Sequence, residues 1–190
     1  MKLAEEKILS IVKGCKRGQG SSQRELFRLY APKVMSMCRR YSSNNEMAKD
    51  VMQECFIQVF SSIDQYCEAS GIFEGWLHTV SQRTIWRVVK RDWGEKTIYS
   101  EQTENTTFTV EPDAFAKLSN DEIIGEIQKL PIGYKTVLNM YVFESLSHKE
   151  IAEILGIEEN SSRSQLARAR QLLKRKIEAK NKTSYVKNTL

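Results

Sequence analysis

Residues 147–176, SHKEIAEILGIEENSSRSQLARARQLLKRK, decide how this chain is read. Ser147 followed three residues later by Glu150 is a capping box. The hydroxyl accepts from a free N–H of the first helical turn, and the carboxylate reaches back to the cap. Ile151, Ala152, Ile154 and Leu155 give the short helix that follows one apolar side. Gly156 falls where a helix ends on a left-handed residue, a conformation that glycine adopts cheaply. Asn160 or Ser161 can then cap a second helix. In that helix Leu166, Leu173 and Ile177 recur at spacings of seven and four and share an inward side. Arg163, Gln165, Arg168, Arg170, Lys174, Arg175 and Lys176 occupy the rest. Arg and Gln pair with base edges, and Lys and Arg neutralise phosphates. A short helix, a glycine turn and a basic second helix form a helix-turn-helix pattern. The bland alternative is a helical hairpin with a solvated basic face.

Outward from this stretch, the chain of 190 residues is long enough for one domain or two small ones. Its net charge of +5 is uneven. The carboxyl-terminal helices are basic, whereas Ser100 to Glu122 is acidic, so a polyanionic partner is expected for one part only. Cys15, Cys38, Cys55 and Cys67 are widely spaced, and His78 and His148 are not at ligand spacing to them, which argues against a zinc site. Cys38 and Cys55 sit in apolar helical patterns and read as small core residues. The amino terminus lacks the pattern of a signal peptide, and no stretch is long enough to span a membrane. A cytoplasmic protein without membrane insertion is the expectation.

Taken in order, Lys2 to Cys15 reads as a first helix. A second carries Leu26, Phe27, Leu29 and Tyr30, and Pro32 is expected to break or restart it. After a polar loop at Ser42 to Asn45, Glu46 to Phe60 is the clearest amphipathic helix. Ala48, Val51, Met52, Cys55, Phe56, Val59 and Phe60 fall three and four apart. Its other face presents Asp50, Gln53, Glu54 and Gln58. Ser61 to Gly71 reads as a loop, and Phe73 to about Arg91 returns to helix. The distal half of that helix is basic (Arg83, Arg87, Lys90, Arg91) and interleaved with Trp86 and Trp93, a combination suited to single-stranded nucleic acid. Trp76 reads as core. Gly94 to Leu118 has no period and reads as a partly disordered linker. Ser119 or Asn120 caps a helix with Ile123, Ile124, Ile127 and Leu130, and Pro131 starts another with Tyr134, Val137, Leu138, Tyr141 and Val142. The expectation is an all-α chain of two small helical domains joined by a flexible linker.

This order of pieces resembles the extracytoplasmic-function (ECF) group of the sigma-70 family of RNA polymerase sigma factors, from about Ile11 to Ile177. Met47 to Phe60, MAKDVMQECFIQVF, is similar to the region 2 helix that binds the clamp helices of polymerase. Asp50, Gln53 and Glu54 match its signature. Phe73 to Leu77, FEGWL, is similar to the start of the helix after the promoter-reading loop. Leu130–Pro131 and YVFESLSHKEIAEILGI, residues 141–157, resemble the opening of region 4. Asn160 to Leu172 resembles its recognition helix, with the wording SRSQLARAR similar to members from Bacteroidetes-type bacteria. Arg83 and Arg87 stand where the family commonly has Asn, or Asn and Asp, and Lys49 where an acidic residue is usual.

The resemblance implies a lead-in helix at 1–20, region 2 at 21–92, a linker at 93–119, region 4 at 120–180 and a polar tail at 181–190. It implies binding rather than enzymatic chemistry, with no cofactor, metal or small-molecule substrate. Asp50, Gln53 and Glu54 would dock on core RNA polymerase. Asp64, Gln65, Tyr66 and Phe73, with Arg83 and Arg87, would hold a flipped base and the opened strand of the −10 element of promoter DNA. Flipping costs roughly a few kcal/mol, which pocket contacts must offset. Ser161, Ser162, Arg163, Ser164, Gln165 and Arg168 would meet the −35 element, since amino-terminal residues of a recognition helix reach deepest. An anti-sigma factor is the implied inhibitor. The rival is a stand-alone helix-turn-helix regulator, which needs neither the Gln53–Glu54 face nor a strand-holding loop. A thiol enzyme is disfavoured because each of the two histidines lies on a helix with another explanation. A plain helical adaptor leaves the basic helix without a purpose.

Overall fold

The structure is a computed structural model. It describes the backbone of residues 2–96 and 119–187, and side chains at 5–93, 119 and 121–179. The expected linker falls almost wholly outside the described residues. Eight α-helices and two short 3-10 turns make up the described elements, with no strand among them. The chain divides into two compact units, Met1–Val88 and Val89–Leu190.

In unit 1, α1 (Lys2–Lys16) is followed by α2 (Gly20–Tyr41), α3 (Asn45–Ser62), 3-10 turns at Ile63–Gln65 and Glu68–Ser70, and α4 (Phe73–Lys96), inside which the division falls. Each helix gives its apolar side to one core. Ile11, Val12 and Cys15 come from α1, and Leu26, Tyr30, Val34, Met37, Cys38 and Tyr41 from α2. Ala48, Val51, Cys55 and Val59 come from α3, and Leu77, Ser81 and Ile85 from α4. Small residues allow close approach of α3 and α4: Cys55 Sγ lies 3.6 Å from the Ser81 carbonyl oxygen. Cys38 and Cys55 are the small core residues their pattern predicts.

Unit 1 differs from the sequence reading at Pro32 and at the start of the third helix, and α4 runs past Arg91 to Lys96, into the start of the segment read as linker. Pro32 does not interrupt the second helix, which runs 22 residues through it. Pro32 removes one helical N–H, but it and Arg28, whose carbonyl loses that partner, are both exposed, so water satisfies the group. The third helix begins at Asn45 because Asn44 Oδ1 accepts from the Met47 N–H at 2.8 Å, a conventional N-cap.

Unit 2 contains α5 (Asn120–Gln128), α6 (Ile132–Val142), α7 (His148–Leu155) and α8 (Glu159–Lys187). Ser119 with Glu122, and Ser147 with Glu150, both form complete capping boxes. Pro131 occupies the cap position of α6. Leu166, Ala169, Leu173 and Ile177 of α8 pack inward with Ile127, Leu130, Val137, Leu138, Met140, Ile151 and Leu155. The last helix starts at Glu159, earlier than Asn160 or Ser161 could cap it. Glu159 in its first turn favours the positive helix end and pairs with Arg163 one turn on. Helical backbone continues to Lys187, into the segment read as a tail.

Gly156 adopts φ 73° and ψ 40° and ends α7. A side chain there is strained, so Gly156→Ala is expected to cost unit 2 about 1–2 kcal/mol. A lower urea midpoint for that unit, partly restored by Gly156→Asn, is the measurement.

Candidate nucleic-acid and polymerase interfaces

One face of α3 is consumed by the core, and the other is left over. Asp50, Gln53 and Glu54 are all exposed and one turn apart, so they share that outer face. Ile57, 64% exposed, continues it. The sequence reading passed over Ile57, although its spacing of four from Gln53 and three from Glu54 was a usable signal. Beside it on the core side, Phe56 packs against Phe27 (ring centroids 4.6 Å apart), and Phe27 is itself partly exposed.

The loop between α3 and α4 separates into outward and inward residues. Asp64 and Gln65 are exposed on the first 3-10 turn. Tyr66 and Phe73 are buried, at 5% and 4% exposure. Their rings meet edge to face at 5.2 Å, Phe73 also meets Tyr30 at 5.7 Å, and Trp76 lies within 6 Å of both Tyr66 and Phe73. Burial pushes the Tyr66 phenol up, so it stays protonated and donates to the Gly71 carbonyl at 3.0 Å. Gly71 has φ 123°, which only glycine adopts without strain. Lys16 Nζ donates to the Tyr66 carbonyl at 2.7 Å and ties the loop to α1. Tyr66 and Phe73 therefore shape the loop from within, and Asp64 and Gln65 are the members of that set open to a ligand.

Arg83 and Arg87 are exposed and one turn apart on α4. Both terminal nitrogens of Arg87 lie 3.5 Å from Gln58 Oε1. Contacts of this length hold the guanidinium only weakly.

The residues of α8 expected to meet DNA are sorted by the fold as well. Ser162 is fully buried, and its hydroxyl lies 2.9 Å from His148 Nδ1, so it joins the two helices of the motif and does not face outward. Gln165 turns toward α6: a Cβ on Gly133 would lie 2.5 Å from its Oε1, and that oxygen is buried without a hydrogen-bond partner. Arg163 is exposed and paired with Glu159. Ser161 and Ser164 are half-buried, with the Ser164 hydroxyl donating to the Ser161 carbonyl at 3.0 Å. At 100° per residue, Ser164, Ala167, Arg168 and Gln171 lie opposite the buried Leu166, Ala169 and Leu173. That outward stripe is short-chained apart from Arg168 and Gln171, so a groove wall can approach it closely.

One unit holds a helix-turn-helix whose last helix carries Arg163 and Arg168, and the other leaves an acidic and amide face of α3 exposed; the first of these places the chain in the class of helix-turn-helix proteins. Residues 26–95 match the family described as Sigma-70 region 2, and residues 120–173 match Sigma-70, region 4. Together these take in well over half of the chain, and it belongs to the sigma-70 family. It is 30% identical over 155 residues to the ECF RNA polymerase sigma factor SigE of Mycolicibacterium smegmatis, covering 79% of this chain and 59% of that one. It is 28% identical over 185 residues to the ECF RNA polymerase sigma factor SigW of Bacillus subtilis, covering 91% and 98%. Among solved structures, the sigma factor RpoE of Bartonella quintana in complex with the anti-sigma factor NepR aligns over 80% of this chain and 94% of that one, with a TM-score of 0.46 and 16% identity. Among the described residues no helix is long and apolar enough to cross a membrane.

Proposed function

We propose that this ECF-type sigma factor docks on core RNA polymerase through the outer face of α3, opens the −10 element with unit 1 and reads the −35 element with α8. The protein acts by binding: it brings polymerase to a promoter and starts transcription without breaking a bond in its substrate. The observation that carries the docking assignment is the outer face of α3. Asp50, Gln53, Glu54 and Ile57 contribute nothing visible to the core of their own unit, yet they present charge, amide and apolar surface together. A stand-alone regulator has no use for that face.

Asp64 and Gln65 on the loop, and Arg83 and Arg87 on α4, are the groups available to the separated strand. The two arginines favour the backbone of single-stranded DNA electrostatically. In unit 2 Arg168 is the leading base contact, and Arg163 a phosphate contact. Ser164 is small enough to sit against either. The wording at 162–170 supports an origin among Bacteroidetes-type bacteria, whose polymerase is the suitable test partner. An anti-sigma factor would act by covering the same α3 and α8 surfaces.

Run-off transcription on a promoter library, with core polymerase and with or without this chain, tests the reading. Protein-dependent transcripts sharing a two-part upstream motif are the expected result, and their absence would overturn it. On the recovered promoter, Arg168→Ala is expected to lose about 1–3 kcal/mol of discrimination at one −35 position, roughly 5- to 150-fold. Binding assays on single-base variants of the −35 element measure it. Arg163→Ala should instead weaken all sequences alike and reduce the salt dependence.

A further inference from the structure

His148 has no part in the assignments above. It is the first residue of α7, and the only other histidine of the chain, His78, lies in unit 1. Its ring is held on two sides. Nδ1 meets the hydroxyl of Ser162, in the first turns of α8, at 2.9 Å. The imidazole stacks on Tyr141 of α6, with centroids 4.8 Å apart and planes 24° apart. Arg170 of α8 lies over the same tyrosine ring, 5.5 Å from its centroid.

The charges facing the imidazole are mixed but mainly positive. From α8 come Arg163 and Arg170, opposed by Glu159, which is itself paired with Arg163. From α6 comes the ring of Tyr141, which carries no countercharge toward it. On α7 the helix amino terminus is a positive dipole end, Lys149 follows, and Glu150 is engaged with Ser147. Partial burial and the Arg163 charge hold the proton affinity of His148 below the ordinary histidine range, so the ring is neutral near pH 7 in the free protein.

We propose that His148 couples −35 binding to proton uptake, the ring becoming imidazolium when duplex phosphates arrive at the amino terminus of α7 and the start of α8. The inference rests on the −35 role assigned to α8. The first helix of such a motif crosses the DNA backbone, and helix amino termini attract phosphate. Phosphates there offset the repulsion from Arg163 and Arg170 and attract the imidazolium directly. The bound state then holds more proton than the free state between the two titration midpoints, and affinity rises as pH falls. Folding has the opposite sign: the lowered proton affinity of the native ring means that unit 2 loses stability as pH drops below about 6.5. Tighter binding at low pH is therefore not a by-product of a firmer fold.

The test uses holoenzyme made with the full chain, and a duplex carrying the −35 element recovered by run-off transcription, at constant ionic strength. From pH 7.8 to 6.2 the wild type is expected to tighten by roughly three- to tenfold, the limit for one proton being about tenfold per pH unit. His148→Gln should hold the change under twofold. His148→Asn, which places an acceptor near the Nδ1 position, is the second variant, with circular dichroism as the fold check. The ring C–H resonance of His148 in the wild-type chain gives an independent readout, and its midpoint should move up when the duplex is added. Equal pH slopes in wild type and variants, or an unmoved midpoint, would overturn the proposal while leaving the sigma role intact. Absence of wild-type transcripts would instead overturn the sigma reading, and this inference with it.

Discussion

Gln53→Ala/Glu54→Ala is expected to reduce promoter-dependent transcription by about 100-fold or more, while unit 1 unfolds at the wild-type denaturant concentration. Both side chains are exposed on the face of α3 that the core does not use. Neither contributes a hydrogen bond or ion pair to the described part of the fold, and alanine is the better helix former, so the helix loses nothing. At an interface the arithmetic differs. Residues near the centre of a docking patch cost about 2 kcal/mol or more each on truncation, and two such losses multiply. Run-off transcription and competition for core polymerase measure the effect. Wild-type transcript yield from the folded double variant would move the docking site elsewhere. Ile57→Ala, with its apolar surface at 64% exposure, should show the same loss on a smaller scale.

Phe73→Ala is expected to destabilise unit 1 by about 3–5 kcal/mol, a large share of what a small domain has. The ring is 4% exposed and touches Tyr30, Tyr66 and Trp76. Removing it opens a cavity under the loop from Asp64 to Phe73, where Tyr66 loses one of the rings that hold it and keeps its bonds to Lys16, Ile63 and Gly71. Urea unfolding should show the unit 1 transition moved to lower denaturant, with that of unit 2 in place. Asp64→Ala is the contrast. Its side chain is exposed, so stability should change by about 0.5 kcal/mol or less, while transcription from promoters altered at −10 changes its pattern. If Phe73→Ala left stability intact and altered only −10 preference, the ring would be a base contact after all.

The sorting of Tyr66 and Phe73 from Asp64 and Gln65 shows where sequence reading stops. All four lie in or beside a segment without a hydrophobic period. An aromatic there is equally suited to stacking on a base or filling a core, and only the position of Tyr30 and Trp76 in space decides between them. Ser162 and Gln165 repeat the lesson on α8. Their residue types suit DNA contacts, but the helix phase set by Leu166, Ala169 and Leu173 turns Ser162 inward toward His148 and carries Gln165 against Gly133. In the sequence His148 reads only as a residue at the wrong spacing for metal and as a disfavoured catalytic base. Its partners are 7 and 14 residues away in the chain, and contacts across a turn leave no periodic trace.

What the amino-acid order determined alone is the set of local structures. The two capping boxes, the left-handed Gly156, the amphipathic periods of α2, α3 and α8 and the uneven charge act within a turn or two of chain, so they can be read without coordinates. They suffice for an all-α chain with a helix-turn-helix at one end and, near the other, an amphipathic helix with an exposed polar face. Tertiary structure alone decided that Pro32 sits harmlessly on an exposed helix face, which polar side chains of α8 turn outward, and which aromatics of the loop are buried. Each of those outcomes depends on what another helix places opposite the residue. That is a sum of packing and desolvation over positions far apart in the chain, and no local pattern records it.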